Sequence, residues 1–209
     1  MKKLILFDFD KTISTVDSIA LLMKYTLKKR IWFIFPWIIR LLKFVIIDSV
    51  FFTNSNFVKL KSVFLYPLNA MSEKEIKEFV TVYINNNYIF KDAREKINSY
   101  DKSENYLLLV SASSESYLKY ITEIFPFDGI IGTRVNNKNE IIGKNNRYFE
   151  KVRRINEYIK NNNLQLDFKN GEGYSDSYSA DFPMLQMVGS KYLINSDIKK
   201  EGYTNLSWS

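Results

Sequence analysis

Leu4-Ile5-Leu6-Phe7-Asp8-Phe9-Asp10-Lys11-Thr12 is the stretch on which the reading of this chain turns. Four consecutive apolar residues without alternation read as a short buried strand. Two aspartates follow at a spacing of two, which in extended backbone aims both carboxylates the same way, roughly 6 to 7 Å apart. Like charges held that close raise a pKa or demand a cation, and open α/β sheets keep their ligands at strand carboxyl ends. The plain alternative is that the pair merely begins a turn.

Three later segments bear on that choice. Leu107-Leu108-Leu109-Val110-Ser111-Ala112-Ser113 is a second buried-strand pattern with a hydroxyl at its carboxyl end, followed by a helical stretch from Glu115 to Ile124. A small hydroxyl and free N–H groups at a helix start suit a phosphate. Phe149 to Ile159 has helical spacing, with Lys151 in its first turn. Gly173-Tyr174-Ser175-Asp176-Ser177-Tyr178-Ser179-Ala180-Asp181-Phe182-Pro183-Met184-Leu185 adds two carboxylates, one after a short strand and one opening a helix. Ser113 and Ser114 compete with Ser111, which directly follows the apolar run. Lys144, after Gly143, competes with Lys151 but sits in a polar, Asn-rich turn.

In this order, FDFDKT, VSAS, EKV and GYSDSYSADFPML resemble the motifs of the haloacid dehalogenase superfamily, subfamily IB, the phosphoserine phosphatase-like enzymes. The resemblance is anchored over residues 1–13 and 95–195. It implies an α/β fold: a three-layer Rossmann-like core with a central, mostly parallel sheet and an inserted small α-helical cap. The expected division is a catalytic core from 1–13 and 94–209 and a cap from 14–93. The offset of five between Asp176 and Asp181, where four is frequent, is a variant within the superfamily.

The same resemblance implies phosphomonoester hydrolysis. Asp8 is the expected nucleophile, since a carboxylate can form an aspartyl-phosphate and split one displacement into two. Asp10 is the expected general acid and base. Ser111 and Lys151 are expected to hold the phosphoryl oxygens. Mg²⁺ is the expected cofactor, bound by Asp8, the Asp10 main-chain carbonyl and Asp176, with Asp181 in an outer or water-mediated place; Mg²⁺ favours oxygen ligands and retains waters. Asp17 is either an acidic residue facing the substrate or a cap for the helix that follows.

Composition agrees with this chemistry. A chain of 209 residues that is 46% hydrophobic can bury a core. It has no cysteine and no histidine, which removes thiol nucleophiles, disulfides, the usual zinc ligands and the usual general base. Carboxylates, hydroxyls, lysine and an oxygen-ligated metal remain. Asp8 cuts the first apolar stretch far short of a signal peptide, so the cytoplasm is the expected location.

Residues 28–47 combine Lys28, Lys29, Arg30, Arg40 and Lys43 with Ile, Phe and Trp. The longest uncharged run there, Ile31–Ile39, is nine residues, against about 20 for a membrane-spanning helix. Ser18 to Met71 carries eight basic residues and one acidic residue, a net charge equal to the +7 of the whole chain. Basic charge interleaved with aromatics suits an interfacial helix on the inner face of an anionic membrane; the same residues also suit the plain core of a cap. No nucleic acid is expected, because the apolar content is too continuous. The hydrophobic segment, Asp17 and GYSDS are more loosely similar to the phosphatidylglycerophosphatase branch, which implies a lipid phosphate such as phosphatidylglycerophosphate as substrate. A soluble phosphomonoester such as phosphoserine is the alternative, and a non-catalytic, membrane-associated protein of the same fold is a third. The sequence leaves the oligomeric state open.

Overall fold

The computed structural model describes residues 1–48 and 54–209. Its centre is a six-stranded parallel sheet of β1 (Lys2–Phe7), β2 (Asn105–Ser114), β3 (Gly129–Thr133), β4 (Leu166–Ser175), β5 (Ser190–Ile194) and β6 (Thr204–Leu206). The spatial order is β3-β2-β1-β4-β5-β6, so the direction of winding reverses at β1. In open α/β sheets that reversal leaves a crevice at the strands' carboxyl ends, where ligands sit.

Period-two geometry explains why β1 reads as an unbroken apolar run. Ile5 and Phe7 pack on one face of the sheet with Leu107 and Leu109, while Leu4 and Leu6 pack on the other with Leu108 and Val110. Both faces are covered, which parallel sheets require. The first face meets Ala93 and Ile97 of the helix Lys91–Asn98 and Tyr117, Leu118 and Ile121 beyond β2. The second meets Ile155, Met184 and Leu185, carried by helices that follow β3 and β4. The result is the expected three-layer α/β arrangement.

Between β1 and Lys91 the described chain is largely helical: α1 (Ser18–Lys29), α2 (Ile34–Lys43), a π-helical turn Phe44–Asp48, α3 (Asn54–Leu65), α4 (Glu73–Glu78), a π-helical Phe79–Ile84 and one turn α5 (Asn85–Asn87). The helix α6 (Lys91–Asn98) follows. Asp17 caps α1 by accepting from the Ile19 N–H at 3.0 Å. The helix then buries Ser18, Leu21, Leu22, Tyr25 and Thr26, a stripe at helical spacing. A Ser72–Glu75 capping box starts α4. In contrast, α2 buries no side chain.

Two local differences from the sequence reading have physical causes. The stretch Glu115–Ile124 splits into one α-helical turn, α7 (Glu115–Leu118), and a 3₁₀ stretch Lys119–Glu123. The strand β1 ends at Phe7 rather than running to Asp10, because the Phe9 carbonyl accepts from the N–H groups of Thr12, Ile13 and Ser14 and folds the chain into a tight turn. Lys11 completes that turn with φ of 57°.

Candidate active site

The turn after β1 keeps Asp8 in register with the sheet, its N–H donating to the Tyr174 carbonyl of β4 at 2.9 Å. Asp8, Asp10, Asp17, Ser111, Lys151, Asp176 and Asp181 all line one cavity of ≈ 440 Å³ at the carboxyl ends of β1, β2 and β4. Seven positions chosen from sequence thus meet at the winding reversal. Lys144 is exposed, and Lys151 is buried in the first turn of α8 (Phe149–Asn161).

A lysine at a helix N-terminus opposes the dipole and, when buried, loses hydration. Two carboxylates offset both penalties: Lys151 Nζ donates to Asp8 Oδ1 at 2.7 Å and lies 2.7 Å from Asp181 Oδ1. Burial works against its charge, but Asp181 and Asp8 outweigh that and hold its pKa above the ordinary lysine value. Asp181, on α9 (Tyr178–Leu185), also accepts from the Ser175 hydroxyl at 2.7 Å. Both its oxygens are thereby engaged by protein groups.

Asp10 is held differently. Its Oδ1 accepts from the Ser18 N–H at 2.7 Å and its Oδ2 from the Ser113 hydroxyl at 2.5 Å. Ser18 Oγ in turn lies 2.7 Å from Ser113 Oγ and 2.8 Å from the Tyr117 hydroxyl. The start of α1 and the end of β2 therefore fix one carboxylate between them. Burial and the nearby Asp17 raise the Asp10 pKa, and the Ser113 and Ser18 donors resist that rise. Asp17 caps α1 and also lines the cavity.

Ser111 is buried, and its hydroxyl accepts from the Ser113 N–H at 3.0 Å. Thr12 ties two motifs together: its hydroxyl accepts from the Asp176 N–H at 2.8 Å and lies 3.5 Å from Asp8 Oδ2.

The cavity also contains residues that the motifs did not mark. Lys61 reaches in from α3 and donates to the Ala112 carbonyl and Asn145 Oδ1, each at 2.7 Å. Arg147 and Asn145 line it from the loop before α8, and Phe57, Leu60 and Phe64 from α3. One signal was available: positions 57, 60, 61 and 64 share a helical face, so the cationic Lys61 falls on the same stripe as three apolar residues.

The acidic groups fit a divalent cation. Burial, with added repulsion from Asp181 and Asp10, pushes the Asp8 carboxyl up to about 8 although Lys151 lowers it. Burial and Asp181 push Asp176 up to about 6. Carboxylates displaced upward by desolvation and mutual repulsion lack positive charge, and a bound cation supplies it. Among the described residues no three acidic side chains already converge as a metal cluster. Two carboxylates, one main-chain carbonyl and water do not need such a cluster.

A parallel sheet wound outward from β1 carries a carboxylate pair after that strand and a buried lysine bridging two motifs, at the crevice where such sheets hold their ligands. The chain belongs to the haloacid dehalogenase-like hydrolases, whose family model matches residues 5–186. Similar solved structures include a protein of unknown function from Bordetella pertussis Tohama I, at 18% identity and a TM-score of 0.66, covering 94% of this chain and 92% of that one. A phosphoserine phosphatase in apo form is similar at 16% identity and a TM-score of 0.61, covering 94% and 88%. A substrate-bound phosphoserine phosphatase complex is similar at 18% identity and a TM-score of 0.61, covering 94% and 87%. At these identities the likeness concerns the fold. A comparison with curated proteins by sequence finds no match. By family the chain is a haloacid dehalogenase-like hydrolase.

Proposed function

We propose that the chain is a Mg²⁺-dependent phosphomonoester hydrolase working through an aspartyl-phosphate. The observation that carries this reading is Lys151, buried between Asp8 and Asp181 on a cavity that also holds Asp10, Ser111 and Asp176.

An Asp8 carboxylate oxygen attacks phosphorus, forming an acyl-phosphate bond as the ester P–O bond breaks. The leaving alkoxide takes the Asp10 proton, which the raised pKa keeps available. Asp10 then removes a proton from water, whose oxygen attacks phosphorus; the Asp8–phosphate bond breaks, releasing inorganic phosphate and restoring the carboxylate. Lys151 and the Ser111 hydroxyl hold the phosphoryl oxygens through both steps, and Asp181 positions Lys151. Asp8, the Asp10 main-chain carbonyl and Asp176 would hold Mg²⁺, which supplies positive charge beside the transferring phosphoryl group.

Residues 14–93 act as the cap in this reading, with α3 supplying Lys61 and an apolar wall to the cavity. That wall of Phe57, Leu60 and Phe64 favours a substrate with an apolar portion, a lipid phosphate such as phosphatidylglycerophosphate, reached with the protein peripheral on a membrane. A small phosphomonoester such as phosphoserine is the second reading, favoured by the likeness to phosphoserine phosphatases. The test is phosphate release from phosphatidylglycerophosphate in mixed micelles and from phosphoserine in solution, with and without Mg²⁺, Asp8→Asn serving as the blank. Preference for the lipid supports the first substrate and preference for phosphoserine the second. No Mg²⁺-dependent release from any phosphomonoester would sink the enzyme reading and favour a binding protein of the same fold.

A further inference from the structure

The helix α3 has a cavity on each side. Opposite the catalytic one lies a second, of ≈ 630 Å³, between α2, α3 and the turn after β3. Its walls include four cationic side chains, Arg40, Lys43, Lys59 and Lys138, and one acidic side chain, Glu140. Glu140 already accepts from Asn136 Nδ2 at 2.9 Å. The Arg40 guanidinium lies 3.9 Å from the centre of the Tyr66 ring, an arrangement that fixes a flexible cation in place. None of the residues given a part in phosphoryl transfer lines this cavity. Among the described residues, a cavity wall with more cationic than acidic side chains beside the apolar Phe44, Val58, Val63 and Ile141 is suited to a phosphate group attached to something hydrophobic.

Beside the cavity, the outer face of α2 is apolar and uncovered. Phe35, Ile39 and Leu42 of α2 and Ile46 of the π-helical turn after it recur at helical spacing and are 68%, 66%, 53% and 72% exposed. Soluble surfaces rarely leave such a continuous apolar stripe in water. A stripe of this kind bordered by arginine and lysine is the pattern of a helix lying in a lipid interface.

We propose that this side of the molecule seats on an anionic phospholipid bilayer, with the α2 stripe in the acyl boundary and a lipid phosphate in the Arg40–Lys43–Lys59–Lys138 cavity. The headgroup held there is not the substrate. It orients the cap so that α3 stands between a lipid-facing cavity and the catalytic one. The inference rests on the membrane-facing cap of the proposed function and adds a second, non-catalytic anion site to it.

The experiment is co-sedimentation of the full chain with vesicles of phosphatidylcholine alone or mixed with phosphatidylglycerol. Hydrolysis of a soluble aryl phosphate by the same wild-type preparation is measured in parallel. Wild type should bind the anionic vesicles at least about tenfold better than the neutral ones. Lys138→Glu, on the wall farthest from α2 in sequence, should weaken that binding on the order of tenfold. Ile39→Asp should abolish it, with thermal melts confirming that both variants fold. Equal binding to both vesicle types, no binding, or binding indifferent to Lys138→Glu would overturn the proposal. Aryl phosphate hydrolysis without vesicle binding would overturn only the membrane seat, whereas vesicle binding without Mg²⁺-dependent phosphate release from the aryl phosphate, phosphatidylglycerophosphate or phosphoserine would overturn only the phosphatase reading.

Discussion

Lys151 Nζ donates to Asp8 Oδ1 at 2.7 Å across 143 residues of chain, and both side chains are almost wholly removed from solvent. The same ammonium meets Asp181, so one buried cation lies between two buried carboxyl groups. Breaking a buried pair from one side leaves an uncompensated charge, at a cost of about 3–5 kcal/mol. Lys151→Met should lose stability on that scale at pH 7, read from denaturant midpoints, and lose catalysis by about 10² or more. Adding Asp181→Asn should recover much of the stability and none of the activity. If the double variant is no more stable than the single, Asp181 does not act through Lys151.

Ser113 is the hydroxyl that donates directly to Asp10. Because this donor lowers the Asp10 pKa against burial and Asp17, Ser113→Ala should move the Asp10-dependent limb of the kcat–pH profile upward. A fall in kcat on the order of tenfold should accompany that shift, within the range general acid–base catalysis contributes. An unmoved limb would assign the serine to packing alone.

Lys61 carries a pH dependence of its own. Burial pushes it down to about 8, with Asp10 and Asp17 opposing the drop. Between about 8 and its ordinary 10.5 the native chain then binds fewer protons than the unfolded one, so the native state gains stability as pH rises through that window. Anion binding follows the opposite course. An anionic substrate in the cavity loses a positive neighbour above about pH 8, and KM should rise there while kcat changes less. Lys61→Met should raise KM at pH 7 and flatten that rise, and Lys61→Arg should keep KM low to higher pH. The Thr133 hydroxyl can donate its one proton to either Ala112 O or Asn145 Oδ1, which limits the stability change in Lys61→Met to about 1 kcal/mol.

Gly171 tests the sheet. The β1–β4 register shifts between Lys3 and Ile5, and a Cβ at Gly171 would stand 2.4 Å from the Leu4 carbonyl oxygen. Gly171→Ala must push backbone away from backbone beneath the strand that leads to Asp8. The expected loss is about 2–4 kcal/mol in denaturant unfolding. A loss under about 0.5 kcal/mol would mean that the irregularity in β4 shifts freely.

What the sequence disclosed and withheld has a physical pattern. Period-two burial on both faces makes β1 and β2 read as apolar runs, and strand ends in such a sheet face the crevice, so Asp8, Ser111 and Asp176 could be found from local context. Lys151 and Asp181 emerged because each stands in the first turns of a helix that begins at that crevice. Asp8 and Asp10 line one cavity, but the tight turn at Phe9 between them belongs to hydrogen bonds that no hydropathy pattern records. Thr12, which accepts from Asp176 across 164 positions, and the Ser18–Ser113–Tyr117 cluster around Asp10 were hidden because each depends on long-range contact. Lys61 was one of eight basic residues between Ser18 and Met71. Only its place on the Phe57–Leu60–Phe64 face distinguished it.

The central position of β1 sets an order of events during folding. Its partners are residues 105–109 on one side and 166–174 on the other, so β1 has no complete bed until residue 174 has been made. Parallel pairings this distant close slowly, and nascent apolar strands that wait are prone to stick to other chains. Asp8 and Asp10 add charge at the trailing end of that waiting segment, and Lys2 and Lys3 at its leading end. The residues assigned to chemistry thus also act as gatekeepers while the protein is being made.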